Sequence, residues 1–206
     1  MYLPKPLRVT DWNIVQAVIE ENSFVDMIGI LDGGITVTKT PIILAQQTVQ
    51  FHIARGNELL QVIKATGKLT MLVNGPNAYI SPTYYRSATE VPTWNYIFIQ
   101  CQLSAQVITD PAWYLRHHQA LVEKFERHGW KNELPEAYRA GLFAAMIGVE
   151  ARIESFTAKF KIGQDYSDED FRGVHRALLK KDPGNRLAKW MAELFAGKLS
   201  GANSAE

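Results

Sequence analysis

Between Tyr79 and Phe98 the chain sets six aromatic side chains, Tyr79, Tyr84, Tyr85, Trp94, Tyr96 and Phe98, among the small donors Ser81, Thr83, Thr93 and Asn95. A planar heteroaromatic ligand needs that mixture, with ring faces to stack on and hydroxyl or amide groups to bond its edge. An ordinary strand core with tight turns would draw on the same residue types. A second set is Phe51-His-Ile-Ala-Arg-Gly-Asn57, where a strand passes into a helix. Alternation puts His52 and Ala54 on one side, Ile53 and Arg55 on the other. Arg55 then stands beside the first free amides of the helix, which suits phosphate or, more simply, a surface ion pair. A third set is Lys159-Phe-Lys-Ile-Gly-Gln-Asp165. Lys159 and Lys161 share a polar strand face and, with Gln164, could hold a phosphate or a ring edge. They could equally guard a strand edge by charge.

Other chemistries lack their residues. There is no Gly-x-Gly-x-x-Gly, no Walker loop and no Gly-x-Ser-x-Gly elbow, so nucleotide hydrolysis and serine-hydrolase chemistry lose support. His117 and His118 are adjacent, roughly 100° apart on a helix, and cannot readily share a metal. His118 falls on the stripe of Tyr114, Leu121, Val122 and Phe125 and reads as a hydrogen-bonded histidine at the core edge. Glu150, Arg152 and Glu154 alternate along a strand and are expected to pair with one another on an exposed face. Cys101 lies in a predicted strand and reads as a buried, inert thiol.

The elements that must carry these groups follow from periodicity and punctuation. A short helix is predicted over Thr10 to Glu21, with Ile14, Ala17 and Val18 on one face. Strands follow over Phe24–Leu31, Ile35–Leu44 and Val49–Ala54, the first two joined by Asp32-Gly33-Gly34, a hairpin signal. Asn57 to Ala65 reads as a helix ended by Gly67. Leu69–Val73 reads as a strand closed by a turn at Asn74-Gly75-Pro76-Asn77, with further strands over Ala78–Ser81 and Asn95 to about Ile108. Asp110-Pro111 starts a helix that should reach about His128, and Pro135 starts another to about Met146. One or two strands are expected over Val149–Ile162. Ser167-Asp-Glu-Asp170 is a capping box for a final helical region broken at Asp182-Pro183-Gly184. Hairpin-length connections favour an antiparallel β-barrel with helices at its edges, an α+β fold, over a parallel α/β sheet.

Composition bounds the rest. The chain has 206 residues, 47% of them hydrophobic, enough to bury a sizeable core. With 22 basic against 21 acidic residues, the formal net charge of +1 argues against a protein that coats nucleic acid with its whole surface. The balance hides a basic tail: Phe171 to Lys198 carries seven Lys/Arg against two Asp/Glu. Arg172, Arg176, Lys180 and Lys181 cluster there as candidate DNA contacts, although no helix-turn-helix pattern accompanies them. A single cysteine excludes an internal disulfide framework and any multi-cysteine metal site. No apolar run approaches the roughly 20 residues that cross a bilayer, and prolines break up the first residues. A cytoplasmic protein with no membrane partner is expected.

Taken together the motifs resemble those of the PaiB-like FMN-binding proteins, often called negative transcriptional regulators. The resemblance runs from Met1-Tyr-Leu-Pro4 through His52-Ile-Ala-Arg-Gly-Asn57, Gly75-Pro-Asn-Ala-Tyr-Ile-Ser-Pro82 and Val91-Pro-Thr-Trp-Asn-Tyr96. It continues through Ile147-Gly-Val-Glu150, Lys159-Phe-Lys161 with Gln164, and Gly173-Val174. It implies a split β-barrel of the flavin-reductase and pyridoxamine-phosphate-oxidase type over residues 1–178, with a helical extension over 179–206. It further implies a homodimer with FMN in the groove between the two chains. Carried over by motif, the cofactor-binding candidates are Arg55, Asn57, Ser81, Tyr85, Thr93, Trp94, Asn95, Lys161 and Gln164. Arg55 and Lys161 are assigned to the phosphate, Thr93 and Asn95 to the ring edge or ribityl chain, and Trp94 to support of the pocket. The sequence departs from the family pattern at Thr40, Glu58, Tyr84, Gly163, Asp165 and Tyr166. At the last two, a more acidic corner should hold an anion less well. Three functions are compatible with this reading: a flavin-dependent regulator or sensor, an FMN-dependent oxidoreductase using a reduced nicotinamide or a small substrate, and a divergent member whose flavin pocket is altered or lost.

Overall fold

A computed structural model describes residues 1–87, 90–130 and 134–200. In chain order the strands are β1 (Arg8–Val9), β2 (Phe24–Leu31), β3 (Gly34–Pro41), β4 (Ile43–Ala45), β5 (Thr48–Ala54), β6 (Lys68–Ile80), β7 (Thr93–Ile108) and β8 (Met146–Lys161). The helices are α1 (Trp12–Glu21), α2 (Leu59–Thr66), α3 (Pro111–Phe125), α4 (Glu136–Ala145), α5 (Asp168–Lys181), α6 (Arg186–Leu194) and α7 (Ala196–Ser200), with a 3-10 turn at Pro82–Tyr84. The strands form an antiparallel eight-stranded sheet in the order β3-β2-β6-β7-β8-β5-β4, with β1 on β8. The chain divides into two compact units. One comprises residues 13–73 and 99–156, the other 1–12, 74–98 and 157–206. The second unit includes 88–89 and 201–206, which lie outside the described residues.

In the first unit local chemistry dictates the β2–β3 hairpin. Asp32 and Gly33 both take positive φ, 50° and 80°, and Leu31 pairs with Gly34. That is the two-residue turn whose twist matches the strands it joins. Gly67 closes α2 in the left-handed region, and its N–H donates to the Ile63 carbonyl. The core is built from alternate residues of the strands, such as Val25 and Met27, Phe51 and Ile53, Ile99 and Cys101. Helix α1 packs Val15, Val18 and Ile19 inward, so its buried face is turned by one residue from the predicted set, and Ile14 is only half-buried. Burial pushes the Cys101 thiol up to about 12, in keeping with an inert side chain.

Two further readings of the sequence are corrected. The stretch Ile35–Leu44 is two strands, β3 ending at Pro41 and β4 starting at Ile43, with the fully buried Ile42 between them donating its N–H to the Ser23 carbonyl. The turn expected at Asn74–Asn77 does not form: β6 runs unbroken through it. Gly75 and Pro76 are consecutive buried residues, so the alternation slips by one there, as it does at a bulge. A Cβ on Gly75 would lie 2.9 Å from Ile97, which is why this position accepts only a glycine. The late strand is the single β8.

In the second unit β1 pairs with the end of β8, Arg8 opposite Lys159. Ser167 caps α5 by accepting from the Asp170 N–H, as the capping box predicts. Phe171, Val174 and Leu178 form its buried face, while Leu187, Trp190 and Met191 of α6 are buried with them in the unit's core. Among the described residues no helix is long and apolar enough to cross a membrane.

Candidate functional site

Seven of the nine expected binding residues belong to the second unit, with Thr93, Trp94 and Asn95 at the start of β7 and Lys161 at the end of β8. The Lys161 ammonium donates to Thr93 Oγ1. Trp94, 55% exposed, meets Tyr79 edge-on with ring centroids 6.1 Å apart. The Lys159 ammonium sits over two rings, 5.5 Å from the centroid of Tyr96 and 5.7 Å from that of Tyr2. The 3-10 turn after β6 is capped by Ser81, whose hydroxyl accepts from the Thr83 N–H and bonds the Thr83 hydroxyl at 2.9 Å. Exposed rings, two ammonium groups and the hydroxyls of Ser81, Thr83 and Thr93 thus share one unit.

The same unit holds a hydrogen-bonded polar chain in which Tyr85 and Asn95 are buried and Tyr166 is half-buried. Tyr85 Oη donates to Tyr166 Oη at 3.0 Å, and Tyr166 Oη donates to Asn95 Oδ1 at 3.1 Å. Burial raises the pKa of both phenols, so they remain protonated donors. Asn95 is fully buried and its Nδ2 has no partner among the described residues. Gln164 is engaged with the backbone: its Oε1 accepts from the Ile162 N–H, and its Nε2 donates to the carbonyls of Phe160 and Pro6. Asp170 fixes the loop that follows the 3-10 turn, accepting from the N–H groups of Arg86 and Ser87. Desolvation works to raise its pKa, but these bonds and the Ser167 hydroxyl win and hold the carboxyl below its ordinary value.

Arg55 and Asn57 belong to the first unit. Arg55 Nε donates to the Ala144 carbonyl at the end of α4, so its place is beside a helix C-terminus. Asn57 Oδ1 accepts from the Leu59 N–H and from the Thr38 hydroxyl, making it the residue that opens α2. Thr40, a departure from the family pattern, is buried and bonds the His52 carbonyl. Glu58, another, makes no capping bond.

The first unit also holds a histidine pair that the sequence reading missed. His117, not His118, is the buried residue of α3, alongside Trp113 and Tyr114. Its ring stacks on Trp113 at 4.6 Å, and its Nε2 lies 3.2 Å from His52 Nδ1. His118 lines the same small apolar cavity with Phe143 and Met146. Burial, then the neighbouring imidazoles, lowers His117 to about 4 and lowers His52 as well. Glu150 does not pair with Arg152: it accepts from Trp113 Nε1 at 2.7 Å and from Gln50 at 2.9 Å, leaving Arg152 to Glu154. The adjacent Gly148 is what lets Trp113 lie against the sheet, since a Cβ there would sit 2.5 Å from the indole ring. The i, i+4 spacing of Trp113 and His117 on one face of α3 was a signal for this cluster.

Of the basic residues in the tail, Arg172 is half-buried and donates to the Lys198 carbonyl, whereas Arg176, Lys180 and Lys181 are exposed. Among the described residues no group of three or more His, Cys, Asp or Glu is placed to hold a metal ion.

The sheet order and strand lengths define a split β-barrel, and solved structures of that architecture align with the chain. The flavocytochrome Anf3 of Azotobacter vinelandii matches with a TM-score of 0.63 at 18% identity, over 75% of this chain and 69% of that one. A protein of Mycobacterium smegmatis described as binding FAD and heme matches with a TM-score of 0.58 at 15% identity, over 79% and 78%. The family model described as "Putative FMN-binding domain" matches residues 1–155, and the chain belongs to that family. It is also 27% identical over 208 aligned residues to the Protease synthase and sporulation protein PAI 2 of Bacillus subtilis, covering 97% of this chain and 98% of that one. FMN is the cofactor this family implies. The donor set of the second unit fits it: ammonium groups suit a phosphate, exposed rings suit an isoalloxazine, and the orphaned Asn95 amide lacks an acceptor that a flavin carries.

Proposed function

We propose that the chain is a dimeric FMN-binding protein whose flavin serves regulation or sensing. The observation that carries this reading is the cluster of Tyr79, Trp94, Tyr96, Lys159 and Lys161 with the Thr93 hydroxyl, cations and ring faces in one unit. Lys161, with Lys159 two residues before it on β8, would hold the phosphate, Thr93 and Ser81 would bond the ribityl chain, and Trp94 and Tyr79 would cover the ring. Bound FMN would supply reversible one- or two-electron chemistry. The chain's own contribution is to bind and orient that group. A regulatory role is supported by the relative named for protease synthase and sporulation, which aligns over nearly the whole of both chains. The test is titration of the purified protein with FMN. Flavin fluorescence should be quenched at stoichiometric protein, and Lys161→Ala should weaken binding at least tenfold, because a charge-assisted bond is lost. Protein that neither carries nor takes up flavin would end this reading. Rapid bleaching of the bound flavin by reduced nicotinamide would replace the sensor with an oxidoreductase.

The dimer rests on a separate observation. On the outer face of the β2–β3 hairpin Phe24, Ile30, Ile35 and Val37 are 57–70% exposed. Cross-strand pairing sets Ile28 opposite Val37 and Ile30 opposite Ile35, which makes these four a continuous patch, with the Asp26–Lys39 ion pair between it and Phe24. A second copy presenting the same patch covers it self-complementarily. Sedimentation should give a dimer, and Ile35→Lys should shift it to monomer at micromolar concentration, since each subunit would bring an uncompensated charge to an apolar contact. A wild-type monomer under the same conditions would refute the dimer.

A further inference from the structure

Resting on the FMN reading, we infer that Tyr166 is a positioning residue of the flavin site, holding the buried Asn95 amide so that Nδ2 is presented to a neutral carbonyl of the flavin. The polarity of the chain requires it. Tyr85 directs its proton at Tyr166 Oη. Tyr166 therefore has its own proton to give onward, and only the Oδ1 end of Asn95 can take it. The amide is locked in one of its two orientations, with both Nδ2 protons left over. A fully buried amide nitrogen without an acceptor is costly, and a bound ligand that brings one relieves that cost.

The phenol has little freedom to do otherwise. Its ring lies over Gly163, where a Cβ would stand 2.5 Å from Cδ2 and 2.6 Å from Cε2. Gly163 itself has φ of +87°, a backbone conformation that glycine adopts without strain. Tyr85 closes the other side edge-on at 5.2 Å, and the Tyr166 N–H donates to the Gly163 carbonyl at 3.1 Å. Glycine at 163 and tyrosine at 166 are thus one paired feature: the large ring needs the missing side chain. The side chains of this hydrogen-bonded chain are all neutral, and the Lys198 ammonium meets Tyr166 at its backbone carbonyl and not at its phenol, so the chain suits an uncharged carbonyl and not a phosphate.

The experiment compares wild type, Tyr166→Phe and Asn95→Asp in fluorescence titrations with FMN and with riboflavin, together with the flavin absorption spectrum and the Asn95 side-chain amide resonance. Tyr166→Phe keeps the ring over Gly163 but cannot hold the amide, and should weaken both ligands about tenfold and shift the flavin band. Asn95→Asp keeps an acceptor for Tyr166 but removes the donor, and should weaken both at least as much. The Asn95 amide protons of wild type should shift on flavin addition. Wild type that binds flavin while Tyr166→Phe binds with unchanged affinity and spectrum overturns the inference alone. So does a loss confined to FMN, because the acceptor would then be the phosphate. Wild type that binds neither ligand overturns the FMN reading and this inference together.

Discussion

Lowering the pH from about 6.5 to about 4 is expected to remove about 3 kcal/mol of stability from the unit formed by residues 13–73 and 99–156, through His117. Its imidazole is 4% exposed, and the pKa is lowered from 6.5 to about 4, first by burial and then by His52 and His118. In the unfolded chain the same group titrates at its ordinary value. Between the two values the unfolded state therefore binds more protons, and stability rises with pH. The contribution is fully present above the unfolded value and is lost as the pH falls through the folded one. His52, also lowered, adds in the same direction. Among the described residues no carboxylate bonds to the pair: Glu150 is bonded to the Trp113 indole and Gln50, and the Asp110–Arg116 pair lies on exposed side chains. Charging both rings would set two cations 3.2 Å apart in an apolar setting. Urea denaturation at pH 7, 5.5 and 4 should show the loss. His117→Leu keeps an apolar body against Trp113, leaves the half-exposed His52 to water, and should flatten the profile. Equal slopes for the variant and wild type would show that the acid sensitivity comes from elsewhere.

Gly173→Ala should be the most damaging small substitution in the other unit, costing about 2–3 kcal/mol net of the helix preference it gains. The added Cβ would lie 2.3 Å from the Tyr84 carbonyl oxygen. That neighbour is backbone, so no side-chain rotation relieves the clash. Helix α5 and the 3-10 turn cannot separate freely either, because Asp170 of α5 holds the N–H groups of Arg86 and Ser87. The strain therefore falls on the segment carrying Ser81 and Tyr85. A melting temperature lower by about 5–10 °C, with weakened flavin binding, is the expected result for a chain of this size. A variant as stable as wild type would mean that α5 and the turn can separate without cost.

Much of the fold was legible because the deciding signals are local. Ser167 caps α5, Asp110 accepts from Ala112 to open α3, and Gly67 closes α2, each at the predicted place. The aspartate-glycine hairpin is equally local: its positive φ values depend on two residues and no distant contact. The misreadings share the opposite origin. Asn74-Gly75-Pro76-Asn77 has the composition of a turn, yet the approach of Ile97, far along the chain, makes it a strand with a shifted alternation. Helices α1 and α3 were placed, but their buried faces were off by one residue. Rotation about a helix axis is set by what the helix packs on, and several apolar stripes compete on each surface.

The sequence by itself determined the antiparallel barrel, the family, and the residue types that flavin chemistry requires, since those rest on periodicity, caps and motifs read within short windows. Only the tertiary structure decided how those residues are engaged. It joined Lys161 to Thr93 and committed Gln164 to backbone. It turned Tyr166, in sequence only a departure from a pattern, into the partner of Asn95 and Tyr85. The physical reason is that a hydrogen bond or a ring contact depends on a few ångströms between residues as many as 158 positions apart, a distance that only the folded sheet and its flanking helices can specify.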